Sequence, residues 1–174
     1  GSDASFVYGP MAKIGSTDFT FPVGNDVKYR PIRITSLSGS ETFTAQYFHV
    51  DPNSVPYDVT LKDVALDHIG RCEYWTLNRA TAVNAWVTLS WDGYSCGMDN
   101  LADIMVAGWD GALWRDRGNG GTTGAIDPGT GTVISNAIVT AFGPFTLASS
   151  STNNPLPVEL LSFSAVLKNN KVDL

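Results

Sequence analysis

Gly93-Tyr-Ser-Cys-Gly97 has the G-x-S-x-G spacing of a nucleophile elbow. Such an elbow works because a strand turns sharply into a helix and lifts the serine clear of the backbone, within reach of a base. A strand pattern precedes Ser95, but no helical period follows it. Both histidines, His49 and His68, come before it in the chain, and the adjacent Cys96 is a disulfide candidate. The expectation is a turn, not a hydrolase centre. His49 falls on the apolar side of a strand pattern and reads as an interior or interface side chain. His68 lies in a polar turn, Leu66-Asp-His-Ile-Gly70, and no His spacing suits a zinc hydrolase.

Carboxylates offer a second chemistry, because a glycosidase needs two of them facing each other across a sugar. Glu occurs only at 41, 73 and 159. Glu73, inside Arg71-Cys-Glu-Tyr-Trp75, is expected to be buried and paired with an arginine such as Arg79 or Arg33, so no enzyme is predicted. Asp92, Asp99, Asn100 and Asp103, with Asp110 further on, gather around one inter-strand loop. Hard oxygen ligands on sandwich loops suit calcium, although the spacing is not that of an EF-hand. Turn and cap roles account for the same residues, so no cofactor is required, and calcium is the one cation the pattern would fit. The Gly-rich stretch 118–131 has no lysine and is not a phosphate loop.

Tryptophan is the clearest pointer to a ligand. Trp75, Trp86, Trp91, Trp109 and Trp114 fall within residues 74–114 together with Tyr74 and Tyr94. Alternation sets Trp86 opposite Val87, Leu89 and Trp91, which would leave an indole on an outer face. Trp109 and Trp114 flank the Asp110-Gly111 turn. Exposed rings of this kind stack on the C–H faces of sugars, so Trp86, Trp109 and Trp114, with Asp110 and Arg115 nearby, are the candidate contacts to a polysaccharide or surface glycan. The competing account is that a sandwich core simply uses tryptophan.

These residues need a frame, and the sequence supplies one. Period-two alternation recurs at 19–23, 30–35, 41–50 and 84–92, with turn formers such as Asp51-Pro-Asn53 and Asp92-Gly93 between. Shorter strands are expected at 58–66, 73–79, 103–109, 112–115, 132–136, 138–142 and 145–148, and an exposed loop at 117–131. Many short strands without a sustained helical period predict an all-β protein, an antiparallel two-sheet β-sandwich of jelly-roll type. The sandwich is expected over 1–148, a hydrophilic linker with nothing to bury over 149–155, and a strand or hairpin appendage over 156–174 that opens a following module. Leu161, Phe163, Ala165 and Leu167 would share one face of its first strand, and Lys168-Asn-Asn-Lys171 would turn it back.

Composition limits the partners. The 174 residues carry 16% charged side chains and a net charge of -6. An acidic chain repels phosphate backbones, which argues against nucleic acid, and no apolar run is long enough for membrane insertion as a helix. Cys72 and Cys96 either pair, closing a loop of about 25 residues worth roughly 3–4 kcal/mol, or lie as two buried thiols; pairing is the expectation. Gly1-Ser2 has the look of a remnant of tag cleavage, so the natural N-terminus is expected to have been trimmed, and the lack of a signal peptide says nothing of where the native protein lives.

The stretch Asn154-Pro-Leu-Pro-Val-Glu-Leu-Leu-Ser-Phe-Ser-Ala165, with Asn170-Lys-Val-Asp-Leu174, resembles a junction in large secreted and surface proteins of Bacteroidota. There LPVELLSFxA opens an Ig- or fibronectin-like module, commonly followed by a type IX secretion sorting domain. Phe19-Thr-Phe-Pro-Val-Gly24, Tyr29-Arg-Pro-Ile32 and Gly143-Pro-Phe-Thr-Leu-Ala148 resemble the module that often precedes it. The chain stops at Leu174, before the usual continuation. The resemblance implies a secreted or cell-surface parent with neighbouring modules as partners, and it implies no catalysis. The expected function is therefore non-catalytic glycan binding or adhesion, or alternatively a structural spacer.

Overall fold

The computed structural model describes residues 1–156 other than Val27, Asp127 and Pro128, together with the backbone of 166–168 and 171–173. The strands are β1 (Val7–Tyr8), β2 (Met11–Gly15), β3 (Phe19–Phe21), β4 (Val23–Asn25), β5 (Lys28–Tyr29) and β6 (Ile32–Thr35). Next come β7 (Glu41–Phe48), β8 (His68–Ile69), β9 (Tyr74–Arg79), β10 (Trp86–Asp92), β11 (Ile104–Trp109) and β12 (Trp114–Gly118). The remainder are β13 (Gly121–Ala125), β14 (Thr130–Ile134), β15 (Gly143–Ser149), β16 (Val166–Lys168) and β17 (Lys171–Asp173). Among the described residues the only helices are 3-10 turns at Pro52–Ser54 and Leu101–Asp103, and none is long and apolar enough to cross a membrane.

Two antiparallel sheets face each other. One has the order β13-β14-β10-β6-β3; the other has the order β12-β11-β15-β9-β7-β2, with β8 added to β15. A small third sheet, β1-β4-β5, carries a parallel pair in which Tyr8 lies opposite Gly24. Alternation explains the packing. In β7, Phe43, Ala45 and Tyr47 point inward while Thr42, Thr44 and Gln46 are half-exposed. In β10, Val87, Leu89 and Trp91 point inward against Phe21, Ile32, Ile34, Trp75 and Phe145. Each large side chain buried in this way contributes about 1.5–3 kcal/mol.

A second, smaller core lies on the outer face of the larger sheet. Leu66, Ile69, Ala107, Trp114 and Ala148 form it, with Tyr57, Val59, Met105 and Trp109 against them. Residues 51–67 cover that face as a sequence of turns, so the strand expected at 58–66 is not formed. The backbone there touches β12 only locally, where Asp63 N–H donates to Trp114 O and Trp114 N–H donates to Leu61 O. The strand expected at 138–142 is likewise a single bridge between Val139 and Ala85.

Two stretches expected to be loose are built in. The expected loop at 117–131 instead contributes the end of β12 and most of the β13–β14 hairpin. Glycine composition disguised it, and at Gly131 the reason is packing, since a side chain would collide with the Trp91 ring. The expected linker at 149–155 is docked. Asn154 is fully buried; its Oδ1 accepts from the backbone N–H of Asp99 (2.8 Å) and Asn100 (2.6 Å), and its Nδ2 donates to Asn100 O. Further along, β16 and β17 form the expected hairpin, with Lys168 opposite Lys171. Leu161, Phe163 and Ala165 lie outside the described residues.

Candidate functional site

The densest cluster of ionisable groups is buried where both sheets end near the disulfide. Arg30 precedes β6, Tyr47 lies on β7, Glu73 directly precedes β9, and Ser95 lies in the turn after β10. Cys72 and Cys96 are paired, with Cα atoms 5.9 Å apart, and this bond fastens the neighbours of Glu73 and Ser95 together. Arg30 makes a two-pronged contact with Glu73, from Nε to Oε2 at 2.9 Å and from Nη2 to Oε1 at 2.7 Å. Both side chains are 2% exposed. Tyr47 donates its hydroxyl to Glu73 Oε2 at 2.7 Å, Trp75 donates its indole N–H to Arg30 O, and Asp92 lies 3.2 Å from Arg30 Nη2. Burial and the Glu73 charge push the Tyr47 phenol far up. Burial alone would lower the Arg30 pKa, but Glu73, Tyr47 and Asp92 outweigh it and hold the guanidinium charged.

This geometry decides the fate of two sequence-level candidates. Ser95 is buried, and its oxygen accepts from the Arg30 guanidinium and from Asp92 N–H. A nucleophilic serine needs a base to take its proton; here two donors point at its oxygen, and none of its partners is a histidine. His49 is exposed, one residue past the end of β7, which rules out the interior of the two places expected for it. His68 lies in β8, not in a turn, with Nδ1 2.8 Å from Asp67 Oδ2. Glu73 is buried and arginine-bound as expected, but its partner is Arg30. Arg79 instead binds Val83 O, Asn84 and Thr140 O, and Arg33 reaches Asp18.

The five proposed ligand residues do not form one surface. Trp86 is half-buried on the outer face of the five-stranded sheet. Trp109 and Trp114 lie directly opposite each other in the β11–β12 ladder, on the outer face of the other sheet. The sandwich therefore separates them. Trp114 is 0% exposed: Tyr57 covers it edge-on at 6.3 Å, its Nε1 donates to Tyr57 O, and it offers no ring face to a ligand. Trp109 stays half-buried, edge-on to Trp114 at 5.6 Å. Asp110 and Arg115 bind each other at 2.6 Å, and Arg115 also reaches Asp63 at 3.1 Å. The Leu113 N–H, the Arg115 side chain and the Ala112 N–H hold the Asp110 carboxyl well below its ordinary value.

Most of the oxygen ligands proposed for calcium are taken up by hydrogen-bond partners. Asp92 accepts from Tyr94 N–H and faces Arg30. Asp99 is exposed, and its backbone is bonded to Asn154. Asn100 caps the Leu101–Asp103 turn. Asp103 Oδ2 accepts from Asn100, Ser151 and Asn153, and the Asn153 and Ser151 bonds lower its pKa. Hydrogen-bond donors thus face the side-chain oxygens of Asp92, Asn100 and Asp103. Among the described residues no three His, Cys, Asp or Glu side chains are grouped to hold a metal.

No family model matches the chain, and neither the curated proteins nor the solved structures contain a significant match to it.

Proposed function

We infer that this chain is a non-catalytic extracellular module that acts as a folded connector within a larger secreted or surface protein. The observation that carries this reading is the docked exit at Asn154. A flexible linker would leave 149–155 in solvent. Here Ser149, the last residue of β15, and Asn154 are both fully buried, and Asn154 replaces two missing backbone partners of the 99–100 turn. The chain therefore leaves the sandwich in a set direction. The disulfide supports an oxidising compartment, and the resemblance of 154–165 and 170–174 to the Bacteroidota junction supports neighbouring modules as partners.

Backbone 15N relaxation tests the reading. Residues 150–154 should show order parameters near those of β15, about 0.85, and Asn154→Ala should lower them; values below about 0.6 in the unaltered chain would end the connector reading. Glycan binding is the second reading. It is favoured by a residue outside the tryptophan region, Tyr8, whose side chain is largely exposed.

A further inference from the structure

A pocket of about 110 Å³ opens between β1, β4 and β7, lined by Tyr8, Gly9, Asn25, Gln46, Tyr47 and Phe48. Three independent features meet there. Tyr8 is 71% exposed although it belongs to a paired strand. Asn25 lines the pocket with an amide whose Oδ1 is buried and has no hydrogen-bond partner, an unmet acceptor of a kind that folded proteins rarely leave. The space beside Gly9 is open, with no atom within 4 Å of where a side chain would begin.

We propose that this pocket binds one neutral sugar residue of a glycan, a ligand that goes beyond the connector reading. The lining selects the class. The lining contains no Asp, Glu, His, Lys or Arg, so a phosphate, carboxylate or ammonium would find no counter-charge. The Asn25 and Gln46 amides carry both donors and acceptors and match hydroxyl groups, which are both as well. The Tyr47 hydroxyl is committed to Glu73, and Phe48 is stacked on Tyr74 at 4.7 Å. That leaves the Tyr8 ring as the free apolar surface for the C–H face of a sugar. The volume sets the size. Water takes about 30 Å³ per molecule, so the pocket admits a few waters' worth of ligand. It therefore takes the edge of one ring at a chain end or branch, with Tyr8 covering the rest.

The test is titration of 15N-labelled protein with the methyl glycosides of glucose, galactose, mannose and N-acetylglucosamine up to about 50 mM, a range suited to millimolar affinity. At least one glycoside should shift the side-chain amide signals of Asn25 and Gln46. Tyr8→Ala should weaken that binding about tenfold while Tyr8→Phe retains it, because the ring and not the hydroxyl makes the contact. Tyr8 is largely exposed, so its replacement should leave the thermal midpoint unchanged, and Asn25→Ala should abolish the shift of the Gln46 amide. The proposal is overturned if no glycoside moves these signals, if glycerol moves them equally, or if binding survives both Tyr8→Ala and Asn25→Ala.

Discussion

Arg30 with Glu73 and Arg115 with Asp110 are the same chemical pair at two depths. The first pair is 2% exposed on both sides; the second is 43% and 21% exposed. In the first, each partner also answers to a third group: Tyr47 and Ser95 close the circuit, and a disulfide ties the segment that carries Glu73 to the one that carries Ser95. In the second, Arg115 bridges two loop carboxylates that water reaches as well. The difference shows that an ion pair fixes a fold through what its removal would strand. Losing Glu73 leaves a buried guanidinium without its main counter-ion, whereas losing Arg115 leaves two hydrated carboxylates.

The sharpest way to break this contrast is Glu73→Gln. It should destabilise the fold by about 3–5 kcal/mol, read from urea unfolding, because one partner of a buried pair is removed. Replacing both Arg30 and Glu73 by methionine should cost clearly less than the single change; an equal or larger loss would mean the pair is worth more than its desolvation. Removing the disulfide by Cys72→Ser with Cys96→Ser should cost about 2–4 kcal/mol. In addition, the amide signals of Tyr94 and Ser95 should broaden if the bond holds the Ser95 turn against Arg30. The smallest effect belongs to Arg115→Ala, whose urea midpoint should move less than in either buried change and should lose what difference it has in high salt. Its pH profile sharpens the point. The Asp110 carboxyl is depressed below its ordinary value of 3.8. Its contribution is therefore complete above that value and is lost as pH falls through the lower folded one. Arg115→Ala should lower the neutral plateau slightly and so flatten that acid limb, leaving stability at the acid end, where Asp110 is protonated, unchanged.

The two-sheet frame was legible because alternation survives in the main strands. The inward alternation also runs onto the charged residues of the buried pair. Arg30 continues the inward series of Ile32 and Ile34, and Glu73 that of Trp75 and Leu77. What a strand pattern does not hold is which strands become neighbours, and so Arg79 and Arg33 stood as equal candidates. Trp114 was misread for a related reason. Its cover comes from residues 51–67, turns with no period to recognise, and only the folded chain lays Tyr57 across it. Tyr8 left no signal at all, since a single aromatic in a two-residue strand has no alternation to belong to. Asn154 looked like linker composition because its worth lies in replacing backbone partners, a role that polar residues at chain corners fill without any repeating signature.

The docked exit also has a mechanical side. Tension applied beyond Pro155 would first meet the Asn154 bonds to the 99–100 turn. Only after these yield would load reach β15, an interior strand flanked by β11 and β9. A few side-chain hydrogen bonds would then serve as a sacrificial fuse, letting the tether lengthen by several residues while the sheets behind it stay intact.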